Sequence, residues 1–186
     1  KDFLNFASEI LNVAENINSM ESLLNSKIGD LSISDKLIEQ TGIIGEKIEI
    51  GNFKKLSGKH IGGYVHAGNK IAAMVALSDS NPVAEEVSKN VAMQVAAMNP
   101  LALDENSVNS SIVEKETEII KEQLVKEGRP ENIIDNIIVG KLKRFYKDNT
   151  LTRQSYIKDS KVSVEDYVKS IDKNLSITSF IRVSLV

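Results

Sequence analysis

Residues 109–147 constrain the fold more than any other stretch of this chain. They are heavily charged, and two apolar seams run through them. Val113, Thr117, Ile120 and Leu124 recur at three- and four-residue spacing. So do Ile134, Ile138, Lys141 and Phe145, with Ile137 and Leu142 beside them. Such spacing places each set on one face of a helix. Gly128-Arg129-Pro130 separates the seams, with Gly suited to closing one helix and Pro to opening the next. The pattern predicts an antiparallel helical hairpin, a short coiled-coil arm of about two heptads per helix that reaches ~22 Å. Strand-like sequence stands on both sides of it. The simplest arrangement is one α+β core with the hairpin inserted as an arm.

Upstream, Phe3, Phe6, Ala7, Ile10, Leu11 and Ala14 trace a first helix face, and Met20, Leu23 and Leu24 mark a short second helix. A third is predicted over 34–41, carrying Leu37 and Ile38, with Gly42 as its stop. Residues 46–56 then alternate Ile48 and Ile50 with charged neighbours, the period of a half-buried strand. Two further strands, 61–67 and 70–77, meet at Gly68-Asn69. That junction reads as a type II′ hairpin turn with Gly68 at the first central position. The sharper reading of this glycine, a phosphate-cradling loop, fails because the spacing matches no such motif and no helix start follows.

Asn81-Pro82 opens the clearest helix, Asn81 as its cap and Pro82 at its first position. Ala84, Val87, Val91, Val95 and Met98 form its buried stripe, and Pro100 ends it. Met93 and Met98 have the softness of metal ligands, but adaptable core filling accounts for them as well. Beyond the hairpin, 151–157 is predicted as strand. Ser163 and Asp166 form a capping-box pattern before a helix faced by Val164, Tyr167, Val168 and Ile171. Residues 177–186 close the chain as a strand, with Ile181, Val183 and Leu185 on one face.

Composition narrows the chemistry. The 186 residues include no Cys, which excludes disulfides, thiolate nucleophiles and Cys-based zinc sites and suits a reducing cytoplasm. A formal charge of −3 argues against a dominant nucleic-acid footprint. Lys141, Lys143 and Arg144 precede Phe145 and Tyr146, a grouping that suggests base stacking or, more simply, one solvated and one buried helix face. No apolar run approaches the ~20 residues that span a bilayer. The two histidines, His60 and His66, form no H-x-x-x-H pair, and no G-x-S-x-G elbow or Walker motif is present. Neither Asp104-Glu105 nor Glu114-Lys115-Glu116 has metal-ligand spacing. The chain is expected to be a binding protein with no catalytic residue, metal or cofactor, not an enzyme.

Four segments resemble one known family in that family's order. They are GGYVHAGNKIAAMVAL (62–77), VAMQVAAMNP (91–100), GRPENIIDNIIVGKLKRFYKDNTLTRQ (128–154) and ITSFIRVSLV (177–186). Together they resemble the core of bacterial translation elongation factor Ts. The resemblance implies an α+β fold of two small antiparallel sheets packed with helices, plus the coiled-coil arm. The implied division is a first core subdomain over 1–59, a second over 60–108 and 148–186, and the arm over 109–147.

The same resemblance implies a cytoplasmic guanine-nucleotide exchange factor. It would bind elongation factor Tu in GDP-bound and nucleotide-free forms and promote GDP release without a cofactor. A structural or assembly subunit that binds elongation factor Tu without promoting exchange is the alternative. A homodimer through the arm or an exposed sheet edge is a further reading. Matching positions assign partner contact to Ile44, Gly45, His66 and Ile157. The family's Thr-Asp-Phe-Val-Ala motif, which carries an Asp-Phe wedge toward the partner's nucleotide site, has no match before Lys1-Asp2-Phe3. The chain, which opens on Lys rather than Met, is therefore expected to be a fragment that binds elongation factor Tu weakly and promotes GDP release from it more slowly than an upstream-extended form.

Overall fold

The computed structural model describes residues 2–185 and falls into two units, 1–55 and 56–186. The first unit contains α1 (Asp2–Ala14), α2 (Met20–Asn25), the short hairpin β1 (Lys27–Ile28) and β2 (Leu31–Ser32), and α3 (Ile33–Ile44). Ser19 and Ser32 cap α2 and α3, their hydroxyls accepting from the backbone N–H groups of Ser22 and Asp35. Phe6, Ala14, Leu23, Ile33 and Leu37 form the core of this unit.

Three expectations for this unit are corrected. Leu11, assigned to the buried face of α1, is 68% exposed. It follows Ile10 directly, about 100° around the helix from it. The strand expected over 46–56 is irregular chain. Its alternation does half-bury Ile48, Ile50 and Phe53 against the core. A strand also needs a bonded neighbour, and none of the sheets includes this segment. The Ile48 N–H donates to Thr41 Oγ1 at 3.1 Å instead. Finally, α3 runs past Gly42 and stops at Gly45, which takes the left-handed conformation (φ +79°) and donates its N–H to the Thr41 carbonyl.

The second unit runs β3 (His60–Val65), β4 (Ile71–Leu77), α4 (Ala84–Met98), a single 3-10 turn, α5 (Ser110–Lys126), α6 (Glu131–Asn149), β5 (Ser155–Tyr156), β6 (Asp159–Ser163), α7 (Val164–Ile171) and β7 (Ile177–Ser184). Strands β3, β4 and β7 form an antiparallel sheet in the order β3-β4-β7, and β5 pairs with β6. With β1–β2, the described residues hold three small antiparallel sheets. Val186, the last residue of the predicted closing strand, lies outside them.

Helix α4 is buried on nearly every side. Val87, Val91 and Val95 meet Ala73, Val75 and Leu77 of β4, and the same cluster takes in Leu151, Tyr156, Val164 and Val168. Its approach to β3 is close enough to require glycine. A Cβ on Gly62 would stand 2.0 Å from Ser88 Oγ, 2.5 Å from Ser88 Cβ and 3.1 Å from the Lys89 nitrogen. Met98, predicted in the buried stripe, is instead exposed where α4 ends. Asn81-Pro82 leads into the helix rather than starting it. Asn81 Oδ1 accepts from the Val83 N–H at 3.2 Å, its carbonyl accepts from Ala84, and the helix begins at Ala84.

The β3–β4 turn also differs from its prediction. Asn69 N–H donates to the His66 carbonyl, so Gly68 (φ +88°) is the second central residue of the turn, not the first. Helices α5 and α6 pack through Ile120, Leu124, Ile134 and Ile138. The chain on either side of this pair is stitched together. Leu101 N–H donates to Asn149, Leu151 N–H to Ala102 and Thr152 N–H to Leu103. The predicted strand over 151–157 therefore shrinks to Ser155–Tyr156, because the backbone of 151–152 is engaged with 102–103 through turns and one isolated bridge. The capping box at Ser163 and Asp166 forms as expected.

Gly62→Ala should destabilise the second unit by about 1–3 kcal/mol, the range for overpacking. Urea unfolding would show it. Adding Ser88→Gly should recover part of the loss, because the two nearest clashing atoms belong to Ser88.

Candidate partner-binding site

Ile44 and Gly45 lie at the end of α3, where the helix must stop and the chain must turn. The left-handed φ of Gly45 makes the turn, and no atom lies within 4 Å of where its Cβ would be. Backbone conformation, not crowding, favours glycine there. Ile44 is 44% exposed and Ile43 beside it 70%. The end of α3 thus presents apolar side chains to solvent next to a bare backbone.

His66 closes β3. Its N–H donates to the Ile71 carbonyl at 2.8 Å, which fixes the backbone. The exposed ring stands over Tyr64, with Nδ1 at 3.2 Å from the phenol oxygen and ring centroids 6.1 Å apart. Residues 64 and 66 point to the same side by strand alternation. Tyr64 therefore orients the imidazole, a partner that a reading of His66 alone does not supply.

Ile157 sits in the turn between β5 and β6. Its side chain is 42% exposed, but its N–H donates to Oε1 of fully buried Gln94 at 2.8 Å. The same Gln94 donates from Nε2 to Gln154 Oε1 (3.2 Å) and to the Ser155 carbonyl (3.1 Å). One turn earlier on α4, buried Asn90 accepts from Lys158 Nζ and donates to the Tyr167 hydroxyl, each at 2.7 Å. Tyr156 stacks on Tyr167 with centroids 4.1 Å apart. Burial, reinforced by the neighbouring Tyr167 hydroxyl and by Glu86, holds the Tyr156 phenol far above its ordinary pKa. It stays neutral across the physiological range.

All four predicted contact residues are thus exposed, and none is a core residue. Ile44 and Gly45 belong to the first unit, His66 and Ile157 to the second. Among the described residues, no hydrogen bond, ion pair or ring contact joins His66 to Ile157. Other candidates resolve simply. Arg144 of the basic cluster stands 3.5 Å from Asp148, and Phe145 and Tyr146 contact each other edge to face. Among the described residues no group of three or more His, Asp or Glu is placed to hold a metal ion. None of the helices among them is long and apolar enough to cross a membrane.

The polar residues of α4 are what the sequence reading missed. The signal was present: Asn90 and Gln94 interrupt an otherwise Ala- and Val-rich helix at four-residue spacing. A polar residue inside a buried helix implies a bonded partner. Which partner it finds depends on residues 60 to 77 positions away.

Exposure generates a stability prediction. Ile44→Ala, His66→Ala and Ile157→Ala should each change the unfolding free energy by less than about 0.5 kcal/mol, as surface substitutions do. Thermal or urea melts of the three variants would check it.

Comparison with known proteins places the chain. The family model described as Elongation factor TS matches residues 1–186. Relatives named Elongation factor Ts include that of Flavobacterium psychrophilum, 53% identical over 185 residues, covering 100% of this chain and 68% of the relative. The protein of Christiangramia forsetii is 52% identical over 184 residues, covering 99% and 67%. That of Porphyromonas gingivalis is 35% identical over 187 residues, covering 99% and 68%. The chain belongs to the elongation factor Ts family of translation elongation factors.

Proposed function

We propose that this chain binds elongation factor Tu and acts there as a guanine-nucleotide exchange factor, through contact alone and with no catalytic group of its own. The observation that carries the reading is the exposure of Ile44, Gly45, His66 and Ile157. The positions matched to the family's partner contacts are displayed on fixed backbone, although Ile44, Gly45 and Ile157 are of residue types that favour burial. Family membership supplies the partner, and exposure supplies surface for it.

Exchange requires that the protein bind nucleotide-free partner more tightly than GDP-bound partner. Linkage then weakens the partner's hold on GDP by the same factor. Ile44 with Gly45, His66 and Ile157 are the proposed points at which that differential contact is made. His66 can donate or accept from its solvent-facing nitrogen while Tyr64 holds the other.

The test is release of a fluorescent GDP analogue from elongation factor Tu as this chain is added. The expected result is faster release that saturates with concentration and weakens about tenfold or more in an Ile44→Ala, His66→Ala double variant, the scale of lost interface anchors. Binding that leaves release unchanged would replace exchange with the assembly-subunit reading. No binding at all would contradict both.

A further inference from the structure

The turn that carries Ile157 lacks the usual means of holding itself. Strands β5 and β6 pair at Tyr156 and Asp159, leaving a two-residue connection, Ile157-Lys158. Two-residue hairpin loops fit the strand twist when one or both residues take positive φ, which is why Asn and Gly dominate there. Here neither does, since Asn69 and Asn99 are the only non-glycine residues with positive φ among those described. The pairing is also irregular, its register shifting between Ser155 and Tyr156. A connection of this kind needs support from outside.

That support comes from one face of α4. Gln94 holds the Ile157 amide and the Ser155 carbonyl, and Asn90 holds the Lys158 ammonium. The Tyr156–Tyr167 stack fixes the side chain just before the turn. The backbone at 155 and 157 and the side chains of Tyr156 and Lys158 are all held, while the Ile157 side chain is left in solvent. Ordering a loop before binding removes an entropic penalty from association. An ordinary surface turn with a polar tip has no such need.

We propose that Gln94, with Asn90 in support, is a positioning residue that preorganises the 155–158 turn so that Ile157 docks on elongation factor Tu as a fixed apolar knob. The inference rests on the exchange-factor reading for the identity of the partner. It extends that reading from a surface residue to a buried one that never touches the partner.

The test compares Gln94→Met, which keeps the length of the side chain and removes its hydrogen bonds, with Ile157→Ala and the double variant. Hydrogen exchange at the Ile157 amide should speed up in Gln94→Met while amides of β4 stay protected. Affinity for nucleotide-free elongation factor Tu, measured by calorimetry, should fall about tenfold in Gln94→Met, the scale of ordering a side chain and its turn at an interface. Ile157→Ala should add little in the Gln94→Met background, because an unordered turn no longer presents the side chain.

Three results would overturn the proposal: unchanged affinity in Gln94→Met, independent and additive losses from the two substitutions, or unaltered exchange at Ile157. Binding lost by Gln94→Met together with β4 protection would also overturn it, since that marks general destabilisation. Failure of the unmodified chain to bind elongation factor Tu would contradict the exchange-factor reading and the partner named here. The exchange measurement would still decide separately whether Gln94 holds the turn.

Discussion

Beneath Ser88 there is no room for a side chain on β3, and Gly62 supplies none. This contact sets how near α4 lies to its sheet, and most of the second unit follows from it. With the helix that close, Val87, Val91 and Val95 fill the space over β4, and Ala92 and Ala96 let the remaining chain close around the helix. Interiors are packed densely enough that a misplacement of one methyl group is felt by neighbouring side chains. The far side of α4, bearing Asn90 and Gln94, inherits its position from the sheet side.

The polar side of the helix then places the turn. Gln94 is fully buried, and both ends of its amide are used. An unmade hydrogen bond there would cost about 1–3 kcal/mol, so the β5–β6 segment has little freedom to sit elsewhere. A chain of dependence thus runs from Gly62 through α4 to Ile157, from backbone packing to a displayed side chain. His66 is held by a different route, through the β3–β4 pairing and its Tyr64 neighbour. In the first unit, the backbone turn at Gly45 displays Ile44.

Much of this was legible in the sequence where a rule is local. The 3.6-residue period located α1, α4, α5 and α6, and the Ser163–Asp166 spacing announced α7. Reading failed where tertiary partners decide. Residues 46–56 alternate like a strand but have no neighbour to pair with. Residues 151–154 were expected as strand, yet their backbone bonds go to 102–103, to Thr150 in a turn and to the start of α7. Gly42 reads as a helix stop, but the left-handed turn that ends α3 is made three residues later at Gly45. The site residues Ile44, Gly45, His66 and Ile157 were marked by family resemblance, since Ile44 stands at a helix end and Ile157 in a two-residue turn, where periodicity does not tell an exposed isoleucine from a buried one. Gln94 escaped notice because its meaning lies in Gln154, Ser155 and Ile157, far along the chain.

The central claim is that the exposed residues displayed by these three devices meet a single partner, elongation factor Tu. Hydrogen exchange of this chain, measured with and without nucleotide-free elongation factor Tu, tests it most directly. The account predicts added protection at residues 44–46, 65–67 and 156–158 together. Protection confined to other surfaces, with these three segments unchanged in a saturated complex, would contradict it.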